Sequence, residues 1–150
     1  MAVEIDTVLV PVDGTDRSER AITHALPIAD RYGATLHVLH VIDETVAAGL
    51  DQGDIEADSV AEEHRAFMGA VREQVRADDH DISLSQSTAF GYSASSLRRH
   101  PVNVVLDAAE EIAADFIVIP RQSAMDEPGA MLGKVAEYVL SYASQPVLSV

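Results

Sequence analysis

The 150-residue chain contains no cysteine, a single lysine and no apolar run long enough to cross a membrane. The absence of cysteine excludes disulfides, thiolate metal sites and cysteine nucleophiles. A transmembrane helix needs about 20 consecutive apolar residues. The N-terminus also lacks the succession of charged, apolar and small residues that marks a signal peptide. We therefore expect a soluble cytoplasmic protein without a membrane partner.

Positive charge is scarce: 10 Lys and Arg stand against 25 Asp and Glu, which gives a formal net charge of -15. A surface of this charge is repelled by phosphate backbones, so nucleic acid is not expected as a partner. Such a charge also destabilises a compact state by self-repulsion, but molar salt shortens the screening length to roughly 3 Å. The composition favours a halophilic protein, and an ordinary acidic protein is the alternative.

Short apolar runs alternate with stretches of helical periodicity along the whole chain. The strand-like runs are TVLVPVDG, ATLHVLHVID, ISLSQSTAF, FIVIP and QPVLSV. The helical stretches begin near Asp16, Ser59 and Pro101 and after a loop that ends at Leu132, and residues 41–58 form either a loop or a short irregular helix. This order predicts an α/β fold, a doubly wound five-stranded parallel sheet with helices on both faces, in one domain over residues 1–150.

The first helix carries the clearest boundary signals. Asp16 and Glu19 have the spacing of a capping box, and Gly33 is a typical C-terminal stop. Pro27 lies inside the helical pattern and removes a backbone hydrogen bond, so we expect a kink there. In the last helix, Val135, Val139 and Leu140 are predicted to form the core face.

Ligands of doubly wound sheets bind beyond the carboxyl ends of the strands, where the strand order reverses. Three segments follow such ends: Asp13 and Gly14, residues 41–43, and Pro120 onward. Asp13 can form a turn by bonding the following backbone, or it can contact a ligand. It lacks the second carboxylate that a phospho-accepting receiver domain places beside it.

Other catalytic patterns do not fit, so no catalytic residue is predicted. GAMLGK has three residues between Gly129 and Gly133 and Val135 after the lysine, whereas a P-loop needs four residues and a Ser or Thr. His37 and His40 are an odd number apart in one strand and point to opposite faces. The six histidines lack ligand spacing, so we predict surface or edge histidines and no metal site.

The segments VLVPVDGTDRSERAITHALPIADRYGATLHVLHVID, AAEEIAADFIVIP and LGKVAEYVLSYASQPVLSV resemble the universal stress protein family along nearly the whole chain. The resemblance implies a Rossmann-like, doubly wound fold of universal stress protein type. It also implies a homodimer that acts in the stress response. Members of the family divide into those that bind ATP and those that do not.

The resemblance implies a nucleotide site made of four residues. Asp13 matches the position that contacts the nucleoside, and Val41 matches one that lies against adenine. Gly133 and Lys134 match the glycine and hydroxyl residue that meet the phosphates at the start of the last helix. The binders' two upstream motif glycines fall on Pro120 and Ser123.

These replacements weaken the phosphate loop for a physical reason. Proline lacks an N–H donor, and a residue other than glycine in the left-handed region costs roughly 1–2 kcal/mol. We therefore expect a non-catalytic homodimer with a degraded ATP-binding motif. The alternative is an adenine-nucleotide-binding stress regulator that holds ATP or AMP, with Mg²⁺, through Asp13, Val41, Gly133 and Lys134.

Two surfaces are candidates for protein partners. QPVLSV would leave an unpaired apolar strand edge. The resemblance implies that this C-terminal strand pairs with its symmetry mate in the homodimer. Arg98, Arg99 and His100 form a basic spot in a loop that is about eight residues longer than the resemblance to the family implies. This spot binds a phosphate, an acidic partner or the adjoining subunit, or else the loop is an ordinary solvated one.

Overall fold

The computed structural model describes residues 3–42, 44–90, 101–121 and 131–150. Its elements in chain order are β1 Thr7–Val12, α1 Asp16–Tyr32, β2 Thr35–Ile42, α2 Glu44–Gln52, α3 Ala57–Ala77, β3 Leu84–Phe90, α4 Pro101–Glu111, β4 Phe116–Ile119, α5 Met131–Tyr142 and β5 Val147–Ser149. The predicted alternation is confirmed, and α2 occupies the segment for which the sequence allows a loop or a short helix. None of the helices in these ranges is long and apolar enough to span a membrane.

The five strands form one sheet in the order β3-β2-β1-β4-β5, and every neighbouring pair is parallel. One core cluster packs α1 and α3 against one face, and a second packs α4 and α5 against the other. The chain moves outward from β1 to β3 and then returns to β4 beside β1. The predicted doubly wound architecture is therefore confirmed, and its strand order reverses between β1 and β4.

The central strands are buried on both faces, which explains their nearly continuous apolar sequences. In β1, Val8 and Val10 belong to the first cluster, and Leu9 belongs to the second. In β4, Val118 points to the first cluster and Ile117 to the second. Because successive side chains of a strand point to opposite faces, each of these strands contributes side chains to both core clusters.

Helix α1 ends where the sequence predicts. Gly33 has φ 63°, a left-handed conformation that suits glycine, and the Ala34 N–H donates to the Ala29 carbonyl at 2.8 Å. Pro27 lies within the helix on its exposed side. The kink expected at Pro27 stays a prediction.

The predicted capping box at the start of α1 is wrong. Thr15 is the N-cap residue, and its side chain makes no capping hydrogen bond. The Thr15 hydroxyl instead donates to Asp13 Oδ1 at 2.6 Å. Asp16 and Glu19 consequently lie in the first turn, where their charges favour the positive end of the helix dipole.

The core face of α5 agrees with the prediction at Val139 and differs from it at Leu140. Val139 is buried as expected, but Leu140 is 50% exposed, and Ala136 is buried. Adjacent residues of a helix are about 100° apart, so Leu140 is turned away from Val139, which packs on the sheet. The part of the prediction that concerns Leu140 is therefore wrong. The burial of Val135 lies outside what the structure describes.

Candidate functional site

The carboxyl edge of the sheet is least closed between β1 and β4. These strands pair through Val8 with Phe116 and Leu9 with Ile117, whereas β1 pairs with β2 as far as Val12. Pro11 has no N–H to donate in the second half of β1. Because the strand order also reverses here, this is the place where doubly wound folds bind ligands.

Asp13 lies directly after β1, at this reversal point. Its Oδ1 atom accepts hydrogen bonds from the Thr15 N–H at 3.1 Å, the Thr15 hydroxyl at 2.6 Å and the Ser18 hydroxyl at 2.8 Å. Ser18 is fully buried, and its hydroxyl oxygen accepts the Asp13 N–H at 2.9 Å. Gly14 completes the turn with φ 84°, a conformation that other residues adopt only with strain. Asp13 therefore has the turn-forming role, and its carboxylate is held at the edge of the sheet.

Arg17 places a positively charged side chain at the same edge of the sheet. The Arg17 guanidinium donates to the Arg121 carbonyl at 3.2 Å, which joins the first turn of α1 to the residue after Pro120. The Arg121 N–H in turn donates to the Val150 carbonyl at 2.8 Å. The sequence reasoning did not identify Arg17, because its partner lies 104 residues away.

The fold brings most of the predicted site segments to this one edge. Val41, the penultimate residue of β2, is 1% exposed and packs in the second core cluster. Pro120 is buried directly after β4, and Gly133 and Lys134 lie in the first turn of α5. Because α5 leads from the carboxyl end of β4 back to β5, the first turn of α5 lies at the carboxyl edge of the sheet. Ser123 lies outside the described residues, as does the basic spot at Arg98, Arg99 and His100.

Two histidines also meet near this edge. The rings of His40 in β2 and His64 in α3 stack with centroids 4.4 Å apart and an interplanar angle of 12°. Burial, and then the nearby His64, lower the pKa of His40 from 6.5 to about 4, against an upward effect of Asp13. Burial also lowers the pKa of His64, against a hydrogen bond with the Gln86 side chain. The prediction of surface or edge histidines is wrong for this half-buried pair.

His37 has a different environment from His40. Its Nδ1 and Nε2 atoms hydrogen-bond the hydroxyls of Ser85 at 2.7 Å and Ser87 at 2.8 Å. His37 is buried, so the prediction of a surface or edge histidine is wrong for it as well, and burial lowers its pKa. By strand alternation His37 lies on the α4 and α5 face and His40 on the α3 face, as the odd spacing predicts. Within the described ranges, no group of three or more His, Asp or Glu side chains could hold a metal ion.

Comparison with known sequences identifies a family. The model of the universal stress protein family matches residues 4–150. A universal stress protein of Methanocaldococcus jannaschii is 28% identical over 146 residues, which covers 95% of this chain and 80% of that protein. The match therefore covers nearly the whole chain, including both segments on either side of the strand-order reversal.

Solved structures share the fold at lower identity. The universal stress protein UspA from Lactobacillus plantarum superimposes with a TM-score of 0.70 at 22% identity and covers 99% of both chains. A universal stress protein solved in complex with cAMP has a TM-score of 0.65 at 22% identity, and covers 98% of this chain and 97% of that one. A universal stress protein from Archaeoglobus fulgidus solved in complex with dAMP has a TM-score of 0.62 at 19% identity. The match covers 99% of this chain and 98% of that one. This chain belongs to the universal stress protein family.

Proposed function

We propose that this universal stress protein binds an adenosine monophosphate at the strand-order reversal and acts by binding rather than by turnover. The observation that carries the proposal is the turn at Asp13. Three hydrogen bonds hold the Asp13 carboxylate beside the point where the strand order reverses. Proteins of the same fold have been solved with cAMP and with dAMP, and both ligands carry adenine and one phosphate. Asp13 would face the nucleoside, and the first turn of α5, with Lys134, would face the phosphate.

A triphosphate is a poorer fit to this chain than a monophosphate. Pro120 lacks the N–H of a motif glycine, and Ser123 replaces the second glycine. Two lost hydrogen bonds to a charged phosphate, at about 1.5–3 kcal/mol each, weaken affinity by roughly a hundredfold or more. One phosphate needs fewer donors, and it is repelled less by a chain whose formal net charge is -15.

Titration calorimetry with adenosine, AMP and ATP, with and without Mg²⁺ in concentrated KCl, tests this proposal. We expect micromolar binding of AMP and no tighter binding of ATP. Asp13→Ala should weaken adenosine and AMP alike, whereas Lys134→Ala should weaken AMP more than adenosine. Asp16→Ala is the matched control, since it removes the same charge from an exposed position in α1.

The second candidate function is a binding protein without a nucleotide site, which acts through its interaction surfaces. Absence of heat with all three compounds up to millimolar concentration would favour it and contradict the first proposal. The edge strand β5 supports a role in association, because within the described residues it pairs only with β4. In either case we expect a homodimer in which two β5 strands pair.

The backbone of β5 offers a selective test of the dimer. Hydrogen bonds to β4 are made by the Pro146 carbonyl and the Val150 N–H, and the Val150 carbonyl accepts the Arg121 N–H. Backbone groups of successive residues in a strand point to opposite sides, so the Ser149 N–H points away from β4. Ser149→Pro should therefore turn the dimer into a monomer in sedimentation at high salt without unfolding the protein. Ser149→Ala keeps the N–H and should stay dimeric. A wild-type monomer at micromolar concentration would contradict this arrangement.

A further inference from the structure

The two halves of helix α3 are attached to the rest of the molecule very differently. In the second half, Met68 and Val71 are buried in the first core cluster. Between residues 57 and 66, Val60 and His64 are half-buried and every other residue is exposed. The first half of α3 therefore has little apolar contact to hold it. The contact between the His64 and His40 rings attaches this first half of α3 to the edge of the sheet.

That attachment is a stack of two imidazoles. By strand alternation the His40 side chain shares the face of Leu36 and Val38, which is the face that α3 covers. The two rings are nearly parallel, with centroids 4.4 Å apart. Nearly parallel rings cannot direct their in-plane lone pairs at one metal ion, so the pair does not form a chelate. It is a packing contact made of two groups that can each take up a proton.

The stack depends on both rings being neutral. Two cationic rings at 4.4 Å would repel each other at half-buried positions. In the described part of the chain, His64 Nδ1 is a buried atom without a hydrogen-bond partner. A proton there would create a buried N–H donor without an acceptor, which is unfavourable.

Two groups that face the pair raise the pKa values of the rings, and burial acts against them. Among the described residues, Asp13 approaches His40 from β1 and its charge raises the pKa of that ring. From β3, the neutral Gln86 hydrogen-bonds His64 and raises the pKa of that ring. Burial outweighs both effects, because the pKa values of both rings lie below their ordinary value.

We infer that the His40–His64 stack is an acid-released latch that holds the first half of α3 against the carboxyl edge of the sheet. When the rings take up protons they separate, and the first half of α3 loosens while its second half stays in the core. Protonated His40 then pairs with the Asp13 carboxylate, which links acidification to the turn after β1. The latch operates in the protein without ligand, so it goes beyond the proposed nucleotide binding and does not rest on it.

The pH window follows from the sign of the shift. A histidine with a lowered pKa in the folded state stabilises that state fully above its unfolded pKa, and this contribution is lost as the pH falls. For His40 the loss occurs between pH 6.5 and about 4. The latch is therefore closed at neutral pH.

Hydrogen exchange of the full chain, followed by mass spectrometry in concentrated KCl and corrected for intrinsic rates, tests the latch. Between about pH 7 and about pH 4, protection of residues 57–66 should fall by about tenfold or more, while α4 keeps its protection. His64→Phe keeps an aromatic ring that takes up no proton, so no second cation repels a protonated His40 and α3 of this variant should stay protected. His24→Phe removes an exposed histidine of α1 and should behave as wild type. Equal loss of protection in wild type and His64→Phe would overturn the latch.

A second measurement decides the matter if His64→Phe does not fold. In an NMR titration of the wild-type imidazoles, His40 and His64 should titrate together and below the ordinary histidine value of about 6.5. Loss of protection at α3 should follow the same midpoint. Titration of His40 and His64 at the ordinary value would overturn the latch, and so would simultaneous loss of protection in every helix.

Discussion

At the amino edge of the sheet, the Asp115 carboxylate accepts the N–H groups of Asp6 at 2.9 Å and Thr7 at 3.1 Å through Oδ2. These bonds join segments more than a hundred residues apart, since Asp6 and Asp115 are separated by 109 positions. At the carboxyl edge, the hydrogen bonds of the Asp13 carboxylate within the described ranges go to Thr15 and Ser18, at separations of 2 and 5. Both aspartates bond backbone or hydroxyl groups, but over very different distances in the sequence.

The difference distinguishes an edge of the sheet that is tied together from one that is open. The Asp115 bonds hold the starts of β1 and β4 together, and this restraint is lost only if the fold opens. The Asp13 bonds shape a local turn and leave the far ends of β1 and β4 unpaired to each other. The amino edge between β1 and β4 is therefore closed, and the carboxyl edge is the one at which we propose ligand binding.

Replacing each aspartate by alanine should give the largest contrast between the two edges. Asp115→Ala leaves two backbone donors without their charged acceptor, and we expect a loss of about 2–3 kcal/mol in the free energy of unfolding. Asp13→Ala should cost about 1 kcal/mol, because the half-buried Thr15 can bond water instead and the buried Ser18 hydroxyl keeps its bond with the backbone N–H of residue 13. Denaturant unfolding in concentrated KCl measures both.

The matched control is Asp107→Ala, at an exposed position of α4, which should change stability by less than about 0.5 kcal/mol. Ligand affinity should show the opposite order, with Asp13→Ala impaired and folded Asp115→Ala unchanged. Equal stability losses for the two aspartates would contradict the proposed division between the edges.

A smaller effect than that of Asp115→Ala is expected at the glycine beside Asp13. Gly14 has φ 84°, and an added Cβ would meet nothing within 4 Å, so Gly14→Ala should cost only the backbone strain, about 1–2 kcal/mol. Gly69 lies in helix α3, where an added Cβ also meets nothing within 4 Å. Gly69→Ala should therefore stabilise the protein by about 0.5–1 kcal/mol. Thermal unfolding of both variants checks this difference in sign, and a neutral Gly14→Ala would show that the turn is not strained by a side chain.

Local patterns predicted most of the fold. The apolar runs became the five strands, and Gly33 ended α1 because a left-handed cap is a local property of the chain. The two errors in the helices arose where distant or competing groups intervene. The Thr15 hydroxyl bonds Asp13 in place of the helix end, and Leu140 lies outside the stripe that packs on the sheet.

The candidate site was predictable in position and only partly in composition. Asp13 follows an obvious strand, so its place at the ligand edge could be inferred from the topology rule. Arg17 and His64 could not be inferred, because their partners Arg121 and His40 are 104 and 24 positions away. Spacing along one helix or strand carries no signal for such contacts.

The sequence by itself determined the alternation of strands and helices, the family to which the chain belongs and the loss of the upstream motif glycines at Pro120 and Ser123. Each of these depends on residue type and local spacing. The tertiary structure alone decided that Asp115 closes the amino edge and that His40 meets His64, because packing brings together segments that are distant in the chain. Whether two titratable groups stack, pair or remain in solvent depends on the packing of the elements that carry them.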